Sequence, residues 1–329
     1  MKKIKVIAMG GTISAHHPCR TDLRNYTSGH YTGEDLIREI PEMNEIAHLH
    51  IEQLSNVSST LIDTEHWIML RDKIHHDLRD GNYDGIVITH GTNTLEETAY
   101  FLHLTVETDK PIVLTGAQRP FSAISTDAHL NLLNALKVAA SDTAVGKGVL
   151  VVLNDQISCA RDVSKTNTYR LETFNSGELG VLGYVDPDDS VQFYRMSLRK
   201  HTTSSEFAVL PINDLPKVEI IYSYAGATGR TIRPLLDEER VDGIIVAGTG
   251  AGRCSEKEEV ELIEAKKKGI QIVLGSRVMD GRVLPLERYK HLRSPTSDNL
   301  PPHKARILLM LALLKYTDNE SIQTLFDTY

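Results

Sequence analysis

The sequence predicts an α/β fold in two domains, a larger amino-terminal one built on a mainly parallel sheet and a smaller carboxyl-terminal α/β one. Three observations carry this. β-type runs rich in Val and Ile alternate with helical runs along the chain. The β-type runs are nearly continuous in apolar character, as parallel strands covered on both faces require. The length of 329 residues, at about 100–200 residues per domain, makes room for two such units.

The elements follow in order. IKVIAM (4–9), DGIVIT (84–89), PIVLTG (111–116) and VLVVLN (149–154) read as the strands of the first unit. After the second of them, TLEETAYFLHLTV reads as a helix. Thr94 and Glu97 stand at capping-box spacing, and Leu95, Ala99 and Leu102 follow a 3–4 apolar period. Residues 90–93 therefore join a strand's carboxyl end to a helix amino terminus, the crevice where open α/β sheets bind ligands. DAHLNLLNALKVAA (127–140) reads as a packing helix, with Asp127 as a candidate N-cap and an apolar repeat at Leu130, Leu133 and Leu136. The pattern then breaks at DPDD (186–189), RKHTTSSE (199–206), Pro211 and Pro216. This places a first domain over 1–192, a linker over 193–215 and a second domain over 216–329. The second domain contains the β-type runs KVEIIYSY (217–224), DGIIVAG (242–248) and GIQIVLGS (269–276), with the helical run EKEEVELIEAKKK between the last two. KARILLMLALLK (304–315) is apolar on most faces and reads as a buried helix.

Composition narrows the function classes. A net charge of −8 with no long basic run argues against a nucleic-acid partner. Cys19, Cys159 and Cys254 are the only cysteines and show no C-x-x-C pair, which fits a reducing, cytoplasmic compartment and gives no zinc site. The histidine pairs 16–17 and 75–76 are adjacent, so their rings diverge, and no H-E-x-x-H spacing occurs; no metal is expected. The apolar stretch in MKKIKVIAMGG is too short for a signal-peptide core or a membrane span, and reads as the first strand. AGTGAGR (247–253) spaces its glycines as G-x-G-x-G, unlike a dinucleotide loop.

Two segments carry the chemistry: MGGTIS (9–14) and THGTNT (89–94). Each follows a β-type run and sets a threonine in a glycine-containing bend, where backbone can approach a ligand and a hydroxyl can be presented to it. Read alone, Gly-Gly-Thr after a strand is more often a turn with a capping hydroxyl, and a single lysine in VSKTNT is ordinarily a solvated charge.

The wording around these segments changes that weighting. NYTSG (25–29), VLTGAQRP (113–120), NDQISCARDVSKTNTYRLETF (154–174), LPKVEIIYSYAGA (215–227), GSRV (275–278) and KARILLMLAL (304–313) fall in one order along nearly the whole chain. Together with the two threonine segments they resemble the L-asparaginase/glutaminase family of threonine amidohydrolases. The resemblance implies Thr12 as nucleophile, Tyr26 on a mobile flap beside it, and Thr92 with Lys165 as an assisting pair. Asn93 stands at the motif's aspartate position. Ser59, Thr60, Gly91 and Ala117 fall at substrate-binding positions. The resemblance further implies two-step acyl transfer without a cofactor, a small-molecule amide substrate, and a homotetramer of close dimers with no nucleic acid or membrane partner.

Departures from the family pattern cluster at substrate recognition. The family's HGTDT reads His90-Gly91-Thr92-Asn93-Thr94 here, Thr60 replaces a usual glutamine, and Ala251 stands where many members carry asparagine. Glu287 is the one carboxylate between Asp280 and Asp298, a region that does not align clearly with the glutamate expected there. The default expectation is hydrolysis of L-asparagine to acid and ammonia. Three alternatives stay open: the same chemistry on another amide, lactam or lactone; a non-catalytic small-molecule-binding homologue; and, ranked last for want of a basic surface signal, an amidotransferase subunit acting on charged tRNA, which also resembles this family.

Overall fold

The computed structural model describes residues 1–237 and 241–329, which form two compact units, Met1–Pro211 and Ile212–Tyr329. The first unit holds strands β1 (Lys2–Gly10), β2 (Ala47–Val57), β3 (Gly85–Thr89), β4 (Ile112–Thr115), β5 (Val149–Leu153) and β6 (Gln156–Cys159). A short hairpin follows, β7 (Ser164–Lys165) and β8 (Phe174–Asn175), then β9 (Gly183–Val185) and β10 (Val191–Phe193). Its helices are α1 (Gly33–Arg38), α2 (Met43–Ile46), α3 (Thr64–Asp80), α4 (Leu95–Thr105) and α5 (Ala128–Ala140). The main sheet runs β10-β9-β6-β5-β4-β3-β1-β2. From β2 to β5 every pair is parallel, and β6, β9 and β10 are added antiparallel.

That order contains the 2-1-3-4-5 arrangement of doubly wound sheets, whose switch point lies between β1 and β3. Side chains alternate across the sheet. Ile4, Val6, Val87, Val113, Leu150 and Val152 join α1, α2 and α5 in one core. Helix α4 packs on β4 and β5 and is tied to α3, where the Trp67 and Phe101 rings stack at 5.3 Å. Each fully buried aliphatic or aromatic side chain contributes about 1.5–3 kcal/mol, so these layers hold the strand ends in register.

Three local expectations are corrected. Thr94 occupies the N-cap of α4, but its hydroxyl donates to the Ser59 carbonyl at 2.8 Å and forms no capping bond. Asp127 occupies the N-cap of α5, yet its carboxylate turns backward and accepts from the Gln118 and Arg119 amides at 2.9 and 3.0 Å. The inner face of α5 is Leu132, Ala135, Leu136 and Ala139, whereas Leu130 is exposed; a helix apolar on several sides does not reveal from spacing which side meets the sheet.

The stretch read as a linker is laid on the first unit up to Pro211. Strand β10 ends the sheet, Phe207 is fully buried, and the Arg71 guanidinium donates to the carbonyls of Ala208 and Leu210. Its polar composition reflects these backbone and side-chain bonds more than freedom.

The second unit is built on a parallel sheet, β11 (Val218–Tyr222), β12 (Gly243–Gly248) and β13 (Gln271–Ser276), in that order. Its helices are α6 (Arg233–Asp237), α7 (Glu256–Lys267), α8 (Pro302–Ala312) and α9 (Asn319–Thr328). As its composition predicts, α8 is buried along most of its length and packs on all three strands. Among the described residues, no helix is long and apolar enough to cross a membrane.

Candidate active site

Backbone packing at the switch point creates the site. Gly10 and Gly11 end β1 with φ of +94° and +91°, a region that glycine enters without steric cost. A Cβ on Gly11 would fall 2.2 Å from the Gly91 Cα, and one on Gly91 would fall 2.6 Å from the Ser59 hydroxyl. The bends after β1 and β3 therefore touch backbone to backbone, and this contact brings Thr12 and Thr92 to the same end of the sheet. His90 fixes the second bend from below. It is fully buried, bonds the Gly91 carbonyl through Nδ1 at 2.8 Å and Thr98 through Nε2 at 3.0 Å, and burial lowers its pKa to about 4. A neutral imidazole with both nitrogens engaged orients the bend without adding charge to it.

Thr12 begins a short 3-10 turn and is almost fully buried; its hydroxyl lies 3.1 Å from the Tyr26 hydroxyl. Tyr26 comes from the loop after β1, whose base closes through paired His16 and Thr27 backbone bonds of 3.0 Å. Lys165 projects from β7, and its ammonium donates to Thr92 Oγ1 at 2.8 Å and to Asn93 Oδ1 at 3.2 Å. Partial burial pushes the Lys165 pKa down, and the charge of nearby Glu96 opposes that shift. Glu96 is itself buried and anchors the lysine's backbone, accepting from the Lys165 amide at 3.1 Å.

A cavity of about 610 Å³ opens over these groups, lined among others by Tyr26, Thr92, Asn93, Glu96, Gln118 and Lys165. Thr12 stands at the Tyr26 hydroxyl and is not among the lining residues. Ser59 is buried beneath the second bend and accepts from the Asn93 amide at 3.2 Å. Thr60 is exposed, with its hydroxyl 3.0 Å from that of Ser58. Ala117 is fully buried in the bend after β4. In the second unit, Ala251 is exposed, and Glu287 is exposed and paired with Lys290 at 3.2 Å. Among the described residues, no group of three or more His, Cys, Asp or Glu side chains is placed to hold a metal ion.

Two cavity residues that bond the Thr92–Lys165 pair, Gln118 and Glu96, lie outside the sequence expectations. Gln118 lies inside GAQRP, where its signal is that of an amide directly after a Gly-Ala bend, a polar group at a strand's carboxyl end. Glu96 carried the signal of a carboxylate in the first turn of a helix, which reads as favourable to the helix dipole alone.

The chain matches the asparaginase N-terminal family over residues 3–199 and the glutaminase/asparaginase C-terminal domain over residues 217–326. It is 44% identical to L-asparaginase 2 of Bacillus subtilis (strain 168), covering 100% of this chain and 87% of that protein. It is 40% identical to L-asparaginase 2 of Escherichia coli (strain K12), covering 100% and 94%. Among solved structures, the probable cytoplasmic L-asparaginase from Campylobacter jejuni superposes with a TM-score of 0.97 at 39% identity, each chain covered fully.

Proposed function

The chain belongs to the asparaginase family, and on that premise we propose that it hydrolyses a small side-chain amide to its acid and ammonia through Thr12, with L-asparagine as the default substrate. The observation that carries this reading is the bond between Lys165 Nζ and Thr92 Oγ1 at 2.8 Å, made by a lysine whose pKa burial has already lowered. A lysine serves as a base only when its environment favours the neutral amine. In the first half-reaction the Thr12 hydroxyl attacks the amide carbonyl, its proton is relayed through the Tyr26 hydroxyl to the amide nitrogen, and the C–N bond breaks so that ammonia leaves as the acyl ester forms. In the second, water activated at Thr92 and Lys165 cleaves that ester and restores the hydroxyl. The Gly11 amide already donates to the Val57 carbonyl at 2.9 Å, so the oxyanion donors in this reading are the amides of Thr12 and Thr92.

Asn93 favours a second reading of specificity. Its side chain is a neutral amide where the family motif has a carboxylate, so an α-ammonium on the substrate meets no opposite charge there. A neutral hydrogen bond is worth about 1 kcal/mol against about 1.5–3 for a charge-assisted one, which weakens an amino-acid substrate about tenfold. A substrate lacking the free α-amino group loses nothing by the exchange. The test is ammonia release from millimolar L-asparagine and from succinamic acid, with Thr12→Ala, Thr92→Val and Lys165→Met run beside the wild type. Activity lost in all three variants supports the reading, and activity retained in any of them overturns that residue's role. A homotetramer in the cytoplasm belongs to the same proposal, supported by the family resemblance and the cysteine pattern; light scattering on the purified protein tests the assembly.

A further inference from the structure

We propose that Gln118, at the variable letter of the TGA-x-RP bend, is a positioning residue that directs the Thr92 hydroxyl proton and seats the hairpin carrying Lys165. The proposal rests on the reading of Thr92 and Lys165 as an assisting pair. Thr92 is buried, and its oxygen accepts from the Lys165 ammonium at 2.8 Å. An ammonium can only donate, so the single hydroxyl proton of Thr92 must point elsewhere. It points at Gln118 Oε1, 3.3 Å away. The other end of the same amide donates to the Arg170 carbonyl at 3.2 Å and the Asn167 carbonyl at 3.5 Å, both in the turn between β7 and β8. One planar group thus faces the two parts whose alignment the reaction needs.

Gln118 is itself held. Asp127 accepts from the backbone amides of Gln118 and Arg119, and Asn131 donates to Asp127 at 3.0 Å and to the Gly116 carbonyl at 3.0 Å. The bend is therefore anchored to the first turn of α5, and the side chain acts from a fixed base.

The consequence is a bias between two protonation states. While Lys165 is charged, Gln118 supplies the acceptor that the Thr92 proton needs. Once the lysine is neutral, its lone pair can take that proton's direction and Gln118 is no longer required. Gln118 accordingly favours the charged resting state. The charged and titratable groups around the pair are Glu96 from α4, Arg24 and Tyr26 from the loop after β1, and Tyr169 from the hairpin turn, with Asp127 and Arg119 behind Gln118. None of them hydrogen-bonds the Thr92 hydroxyl.

The experiment is the pH profile of kcat/KM for Gln118→Leu and Gln118→Glu, with thermal unfolding of each variant as a control for folding. Leucine removes the acceptor, so the acidic limb should move to lower pH by roughly half a unit or more. Glutamate keeps an acceptor but adds negative charge, so the limb should move to higher pH, while loss of the donor to the hairpin turn lowers kcat/KM in both variants. Shifts of opposite sign support the proposal. Limbs that stay in place, or move the same way, overturn it, because a merely structural residue would change rate without that pattern. Should the leucine variant fail to fold, the sign of the glutamate shift decides. Lys165→Met and Thr92→Val separate the two layers: if they stay active the assisting pair itself is wrong, and if they are inactive while the Gln118 limbs do not move, only the role of Gln118 is wrong.

Discussion

Replacing Asn93 by aspartate would put a carboxylate where Lys165 Nζ now meets an amide oxygen at 3.2 Å. The Coulomb energy of unit charges at that distance is about 1.3 kcal/mol in bulk water and about 5 kcal/mol at an effective dielectric of about 20. Asn93 is exposed, so the watery limit governs, and about 1.3 kcal/mol corresponds to about one pH unit. The sign follows from the base role of Lys165. Activity needs the neutral amine and so rises with pH through the lysine pKa, and a neighbouring carboxylate raises that pKa; the acidic limb of kcat/KM therefore moves up by about one unit. The same substitution gives an α-ammonium its charged partner and should improve L-asparagine over succinamic acid about tenfold. The assay is ammonia release from both substrates as a function of pH across the acidic limb of the profile. A limb that stays put would refute the electrostatic coupling, and an unchanged substrate ratio would refute the specificity argument.

Other predictions test the scaffold. Gly11→Ala drives a Cβ to 2.2 Å from the Gly91 Cα at a φ of +91°; overpacking and left-handed strain together cost about 2–5 kcal/mol, and a purified variant should show a lower Tm with activity near background. Asp127→Ala leaves the Gln118 and Arg119 amides without their acceptor and should lower stability by about 1–3 kcal/mol in urea unfolding, with a smaller kcat. His90 binds its proton less readily folded than unfolded, since burial lowers its pKa from 6.5 to about 4. Its contribution is fully present above pH 6.5 and is lost as pH falls towards 4, amounting to about 3 kcal/mol by linkage; a His90→Gln variant should show a flatter stability profile across that window.

How much of this was legible in the sequence depended on how local the signal was. β1, β3, β4, β5, β12 and β13 announce themselves as apolar runs because each is buried on both faces for most of its length, and β11 through its Val and Ile content although Glu219 and Tyr222 are exposed. β2 escaped notice because it is an edge strand of half-buried, polar residues, and β6, β9 and β10 because they are too short to show a period. Thr12 and Thr92 could be suspected from their glycine bends, but Lys165 and Tyr26 were visible only through resemblance, since nothing local distinguishes them from surface residues. Gln118 and Glu96 were missed for the same reason. Their partners Thr92 and Lys165 lie 26 and 69 residues away, joined only when β3, β4 and the hairpin come together.

The central claim is that Thr12 carries the acyl group. Its most direct test is to mix the Lys165→Met variant with substrate, quench in acid, and map the adduct by mass spectrometry of tryptic peptides. The account predicts an ester on the Val6–Arg20 peptide, localised to Thr12 and absent when Thr12→Ala is added to the variant. An adduct on Thr92 instead, or undiminished turnover by Thr12→Ala alone, would contradict it.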